Sequence, residues 1–333
     1  MVINKPYLLF LGDAPDQLAA KTAEGVAYWR RSDCVGQMRL PGCKADLQLP
    51  ELTIAEASKL GAKTLLIGVA NRGGMLSEQW MPHLREALET GMDIANGLHN
   101  RLADVHELAE LAAYKGRKLF DVRHTSVTFD VANGKKRSGK RLLTIGTDCS
   151  VGKMYASLAI EQEMKRRGIM ASFLATGQTG ILIAGGGVSV DAGIADFISG
   201  AVEALSPEQE SDHWDVIEGQ GSLFHPSFAG VSLGLLHGAQ PDVLVLCHEP
   251  TREHMRGLPE YPMPSIEDCI AANQAAARLT NPSATCIGIS LNTAALDEAE
   301  AMDILAETEA RIGLPCVDAV RTGVARLVDC LPI

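Results

Sequence analysis

At 333 residues the chain is longer than one ordinary hydrophobic core supports, so two domains are expected. Hydrophobic residues make up 46% of it and aromatics only 5%, so Ala, Val, Leu and Ile must build the core, as they do in α/β folds. A formal net charge of −11 argues against nucleic acid or an anionic membrane as partner, and any anion site must then be made locally by backbone and a few cations.

The amino terminus lacks a secretory signal pattern, and no apolar stretch reaches the roughly 18 residues of a membrane span, so a cytoplasmic protein is expected. Eight cysteines are scattered without any C-x-x-C pair. That pattern reads as use of Cys as a small hydrophobe in a reducing compartment, with no zinc or other metal site expected.

In chain order, residues 7–11 read as a buried strand and 16–30 as a helix. A strand over 63–69 ends in Ala70-Asn71-Arg72-Gly73-Gly74. A helix over 77–89, a strand over 92–94, a helix over 101–114 and a strand over 118–122 follow. Alternating strands and helices predict a parallel sheet covered on both faces. Open α/β sheets bind ligands at the carboxyl ends of their strands. Asp13, Arg72, His99 and Arg123 all fall there. Residues 132–140 are polar, basic and glycine-bearing, and read as a solvated linker. The expected organisation is a Rossmann-like α/β domain over 1–135 and a second domain over 136–333.

The second domain opens with the apolar run 142–145, directly before Gly146-Thr147-Asp148-Cys149-Ser150-Val151-Gly152-Lys153-Met154. A helix is predicted over 153–167. Strand, glycine-bounded turn, Gly-Lys and helix make the layout of a P-loop. Backbone N–H groups and the helix dipole face an anion there, and the lysine adds a full charge. Thr147, Asp148, Ser150, Val151, Gly152, Lys153 and Met154 are therefore the candidate phosphate-binding residues. The loop departs from the usual G-x-x-x-x-G-K-[ST] in two ways. Five residues separate Gly146 from Gly152, and Met154 stands where a hydroxyl would ligate Mg²⁺. Transfer of a γ-phosphate needs a metal on the β and γ oxygens. Either Asp148 or Glu218 holds that metal, or the phosphate is only an anchor, such as the pyrophosphate of coenzyme A. Cys149, inside the loop, feels the helix N-terminus, which is expected to lower a thiol pKa.

Strands are predicted over 170–174, 214–217, 242–247, 284–291 and 316–320, with helices over 192–205, 265–279 and 295–312. The whole is a P-loop NTPase-like doubly wound parallel sheet. Thr176-Gly177-Gln178-Thr179-Gly180 follows one strand and suits a substrate or cofactor loop, with Gln178 and Thr179 as contacts. Glu218-Gly219-Gln220-Gly221-Ser222 follows another. Glu218 suits a general base, a metal ligand or a structural cap, and His225 suits a base for an amine. Gln220, Ser222 and Arg252 complete the candidate substrate contacts, Arg252 as a carboxylate or phosphate clamp.

Four stretches resemble one family: the loop at 146–154, Ala175-Thr176-Gly177-Gln178-Thr179-Gly180-Ile181-Leu182-Ile183, Glu218-Gly219-Gln220-Gly221-Ser222-Leu223-Phe224-His225-Pro226, and Leu233-Gly234-Leu235-Leu236-His237-Gly238. Asn71-Arg72-Gly73-Gly74, Gly97-Leu98-His99 and Asp121-Val122-Arg123 extend the likeness over nearly the whole chain. The family is a bacterial and archaeal P-loop family long labelled as of unknown function. Its characterised members are D-glutamate N-acetyltransferases. The resemblance implies acetyl transfer from acetyl-CoA to the amino group of an acidic amino acid, by direct attack of the amine on the thioester. Glu218 or His225 would be the base, and Arg72, Arg123 and Arg252 would face the substrate carboxylates. The loop also resembles those of dethiobiotin synthetase and MinD-like proteins. An ATP- and Mg-dependent ligase or kinase and a nucleotide-dependent switch are therefore the alternatives. A homo-oligomer acting on small molecules is the expected assembly.

Overall fold

Six consecutive buried residues, Tyr7–Gly12, form β1, the strand around which the first sheet is laid. The computed structural model describes residues 2–69, 75–124 and 128–332. After β1 come α1 (Lys21–Trp29), β2 (Cys34–Arg39), α2 (Ile54–Lys59), β3 (Thr64–Ile67), α3 (Met81–Glu89), β4 (Asp93–Asn96), α4 (His106–Lys115) and β5 (Leu119–Asp121). All pairings in this sheet are parallel, in the order β2-β1-β3-β4-β5. Its core packs Phe10 edge-on against Trp80, with ring centroids 5.7 Å apart, among Leu65, Ile67, Leu84 and Ile94.

Two of these elements escape the sequence pattern. β2 reads Cys-Val-Gly-Gln-Met-Arg, half-exposed and without an apolar run, because it is the edge strand of the sheet, with β1 on one side and only a single bridge, Gln37 to Glu51, on the other. α2 is a six-residue helix secured by a capping box, in which Thr53 Oγ1 accepts from Glu56 N–H at 3.2 Å and Glu56 accepts from Thr53 N–H at 2.8 Å. Arg72 and its neighbours 70–74 lie outside the described residues.

The second sheet begins with β6 (Lys140–Gly146), followed by α5 (Lys153–Arg166) and β7 (Ala171–Leu174). The chain then returns to the first unit. Gly177–Ala192 clusters with Met1–Val127, while Thr128–Thr176 and Gly193–Ile333 form the second unit. The returning segment holds α6 (Gln178–Ala184), whose Gly180, Ile181, Leu182 and Ile183 are buried, and which packs on α1. Gly185, left-handed at φ +78°, ends α6, and its carbonyl accepts from Ile3 N–H at 2.9 Å.

The second unit continues through α7 (Ile198–Leu205), β8 (Trp214–Ile217), α8 (Ala229–Ala239), β9 (Val243–His248) and a hairpin of β10 (His254–Met255) and β11 (Leu258–Pro262). It closes with α9 (Ile266–Ala277), β12 (Thr285–Leu291), α10 (Glu298–Ile312), β13 (Cys316–Val317) and α11 (Ala325–Val328). Its six-stranded sheet is parallel, in the order β13-β12-β9-β6-β8-β7. β6 therefore lies between β8 and β9. Loops that leave the carboxyl ends of these three strands are neighbours, at the point where strand order reverses.

The basic stretch 132–140 is more than a solvated linker. Residues 131–136 are exposed, but Arg137 is buried. Its guanidinium donates to the carbonyls of Glu203 and Ser206 at the end of α7, and of Gly238 and Ala239 at the end of α8. The last carbonyls of a helix lack partners within it, and a cation there also meets the negative end of the dipole. Cys247, Cys269, Cys286 and Cys316 are buried and unpaired, and no helix among the described residues is long and apolar enough to cross a membrane.

α1 closes on the end of β3, where Ala23 N–H donates to Gly68 O at 3.1 Å. A Cβ on Gly68 would stand 2.1 Å from that of Ala23. Gly68→Ala is expected to cost about 2 kcal/mol of stability by overpacking, read as a lowered midpoint in chemical denaturation.

Candidate active site

β6 delivers the chain to Gly146, where no side chain fits. A Cβ there would meet Lys153 Nζ at 2.8 Å and Asp148 O at 3.1 Å. The loop curls back tightly, with Ser150 at φ +56° and Gly152 at φ +103°. Glycine adopts the left-handed region at little cost, whereas serine does so only when its surroundings hold it. α5 then starts at Lys153 with no side-chain cap from Gly152.

The backbone hydrogen bonds of this loop decide what it can bind. Thr147 N–H donates to Cys247 O at 3.1 Å, and Cys149 N–H to Asp148 Oδ1 at 2.6 Å. Among the described residues, the successive amides of Ser150, Val151, Gly152, Lys153 and Met154 donate to no protein acceptor. Buried or half-buried N–H groups are normally paired, and a run of them at a helix start is an anion cradle.

Lys153 is 6% exposed. Its Nζ donates to Asp148 O at 2.8 Å and to Gly221 O at 2.9 Å, so it ties the P-loop to the turn after β8. Burial pulls its pKa down, while nearby Asp148 and Glu218 oppose the shift. The turn after β8 sits hard against β6. A Cβ on Gly219 would stand 1.7 Å from Thr144 O, and Gly219 N–H donates to Thr144 Oγ1 at 3.0 Å.

Glu218, at the carboxyl end of β8, is buried, and its Oε2 accepts from Thr176 N–H at 3.1 Å. Gln220 Nε2 donates to Thr176 Oγ1 at 3.2 Å, and Ser222 Oγ accepts from Phe224 N–H at 3.2 Å. His225 is 2% exposed, with its ring tilted against that of Phe228 at 4.6 Å between centroids. Its Nδ1 accepts from Ser227 N–H at 3.2 Å, which puts the proton on Nε2, where it faces Arg256 O at 3.3 Å. Both ring nitrogens thus face backbone groups.

Arg252, in the loop after β9, points back at the P-loop. Its Nη1 donates to Asp148 Oδ2 at 2.7 Å and to Cys149 O at 2.6 Å, and its Nη2 to Ser150 O at 3.3 Å and to Glu249. The fully buried Asp148 carboxylate also accepts from Arg256 N–H at 2.7 Å, and the Arg256 side chain reaches Ser150 Oγ. Asp148, Cys149 and His225 bring one donor atom each within 4.8 Å of one another. A thiol, an imidazole and an arginine-paired carboxylate do not suit Mg²⁺, which takes hard oxygen ligands, and Met154 supplies none. The Cys149 thiol is not activated. Burial pushes its pKa up and outweighs Lys153, contrary to the expectation from its place before a helix.

Of the other candidates, Gln178 and Thr179 open α6 in the first unit, with Gly177 as N-cap and Gln178 beside Gly97. Arg123, also in the first unit, donates to Asp191 at 2.8 Å and to Gly97 O at 3.5 Å. One residue of the site is absent from the sequence candidates, Arg256 on the β10–β11 hairpin, and His248 at the end of β9 also belongs to the site. His248 Nδ1 pairs with Thr147 Oγ1 at 2.9 Å. Burial, aided by Arg252, pushes the His248 pKa down to about 4. The unfolded chain then binds the extra proton first. His248 should therefore cost stability progressively as pH falls from its ordinary range near 6.5 toward 4. Thermal unfolding across that interval should show a steeper fall for the native protein than for His248→Gln.

Residues 130–328 match the P-loop domain of DUF1611, a domain of unknown function, and residues 38–125 match the Rossmann-like domain of DUF1611_N. A D-glutamate N-acetyltransferase from Tritonibacter scottomollicae is 57% identical over 330 residues, covering 99% of both chains. One from Pseudoalteromonas sp. is 53% identical over 328 residues, covering 98% of this chain and 99% of the relative. A crystal structure of a DUF1611 family protein from Anabaena variabilis aligns with a TM-score of 0.87 at 34% identity, covering 98% of this chain and 99% of that one. The chain therefore belongs to the DUF1611 family, with a Rossmann-like N-terminal and a P-loop C-terminal domain.

Proposed function

We propose that this protein is a D-glutamate N-acetyltransferase that takes its acetyl group from acetyl-CoA. The observation that carries the reading is the run of amides from Ser150 to Met154 without protein acceptors, beside a buried lysine and without a metal-binding hydroxyl. Such a loop grips a phosphate that takes no part in the reaction. Acetyl-CoA has such phosphates, and its thioester reacts without a metal. Full-length identities of 57% and 53% to two D-glutamate N-acetyltransferases support the same reading. A Mg-ATP ligase or kinase is disfavoured by Met154 and by the commitment of Asp148 to Arg252.

In this mechanism the donor's pyrophosphate lies on the loop amides at the start of α5. The neutral amine of D-glutamate attacks the thioester carbonyl carbon. Glu218 takes the amine proton as the C–N bond forms, and the C–S bond then breaks to release CoA, which carries that proton away as the thiol. Thr176 N–H holds the Glu218 carboxylate in place. Backbone N–H groups of Gln220, Gly221 and Ser222 are the candidate donors to the tetrahedral oxyanion, since that of Gly219 is taken by Thr144.

Thiol release from acetyl-CoA should require D-glutamate or a close acidic amino acid. No release with any acidic amino acid would overturn the reading. Glu218→Gln keeps the size and the Thr176 contact but cannot accept a proton. It should lower kcat about 100-fold or more, with KM for acetyl-CoA little changed, in steady-state kinetics.

A further inference from the structure

Arg252 reads, from the sequence, as a clamp for a substrate carboxylate. Its geometry points elsewhere, and we infer that Arg252 is a positioning residue that aims the phosphate-binding amides of the P-loop. The identity of the anion rests on the acetyl-CoA reading above.

A trans peptide points its C=O and the next residue's N–H to opposite sides. Arg252 takes the carbonyls of Cys149 and Ser150. The N–H groups of Ser150 and Val151 belong to the same two peptides, so they face away from the guanidinium. They are the first two of the amides that donate to no protein acceptor among the described residues. Asp148 fixes Arg252 in turn, because its fully buried carboxylate is held by Arg252, Arg256 N–H and Cys149 N–H together. A buried carboxylate left without its cation is strongly unfavourable, so the pair stays closed.

Two further observations agree. Ser150 is one of three non-glycine residues at positive φ among the described residues, and such a backbone needs to be held. Arg252 and Arg256 hold it at its carbonyl and its hydroxyl. Moreover, both Nη1 contacts and both Nη2 contacts of Arg252 go to protein oxygens, so its terminal fork is not left open for a bidentate substrate carboxylate.

The test compares Arg252→Lys and Arg252→Gln with the native full-length protein. Lysine keeps the charge beside Asp148 but cannot span both carbonyls. Calorimetry with CoA and with inorganic pyrophosphate should show affinity reduced about tenfold or more in both variants, the scale of loss when a group that orients a ligand's partner is removed. KM for acetyl-CoA should rise while KM for D-glutamate stays unchanged. A folded Arg252→Lys that binds both anions as the native protein does would overturn the inference, and so would a KM rise confined to D-glutamate. Failure of both variants to fold would assign Arg252 to stability alone and overturn it too. If the native protein binds pyrophosphate but not CoA, the donor reading fails, and the positioning role is then judged on pyrophosphate.

Discussion

One buried ammonium holds the second unit's site together. Lys153 bridges Asp148 O in the P-loop and Gly221 O in the turn after β8. A buried charge without such partners is costly, so these two loops must stay where their carbonyls reach it. That fixes the turn carrying Glu218 against the loop that would hold a phosphate. Packing repeats the constraint without charge, since Gly219 passes Thr144 O with no room for a Cβ. Strand order supplies the rest, with β6 between β8 and β9, so that Glu218, the P-loop and the loop bearing Arg252 share one end of the sheet.

Most of the fold is legible because buried parallel strands read as apolar runs. Residues 7–11, 142–145, 214–217 and 242–247 stand out for that reason, and each lies in or almost wholly within a strand of the structure. What escapes has a weaker local signal. β2 is an edge strand with a polar sequence, and α8 is apolar nearly all round, so it shows no amphipathic period. The start of α6 reads as a glycine-rich ligand loop, because Thr-Gly-Gln-Thr-Gly carries turn residues. In the structure Gly177 is its N-cap and the apolar Ile181-Leu182-Ile183 is its buried face. No local signal says that such a segment leaves the sheet it follows and packs on α1, near the beginning of the chain.

The site divides in the same way. Gly-Lys before a helix marks the candidate anion cradle from sequence alone, and an acidic residue after the third strand of the second unit marks Glu218 as a candidate. Roles set by distant partners are not legible. Arg252 lies 104 residues from Asp148, and nothing in its own neighbourhood tells whether it faces a ligand or a carbonyl. His225 looks like a base because histidine titrates near neutrality, yet two backbone groups settle its tautomer and occupy both nitrogens. Cys149 looks activated by the helix start, and burial reverses the sign.

Why would a P-loop serve acyl transfer at all? Binding energy gathered on a remote, unreactive part of a substrate can position the reacting part. Phosphates on the loop amides would be such a handle, and no bond to them changes during the reaction. The loop then has no need of the hydroxyl that a nucleotide's metal requires, and Met154 is tolerated in its place. Rigidity, by contrast, becomes more valuable, because a handle that shifts by about an ångström moves the thioester away from the amine. The arginine contacts that hold Asp148, Cys149 and Ser150 supply that rigidity. On the acetyltransferase reading, the Asp148–Arg252 pair that disfavours a metal at the loop also fixes the loop as an anchor.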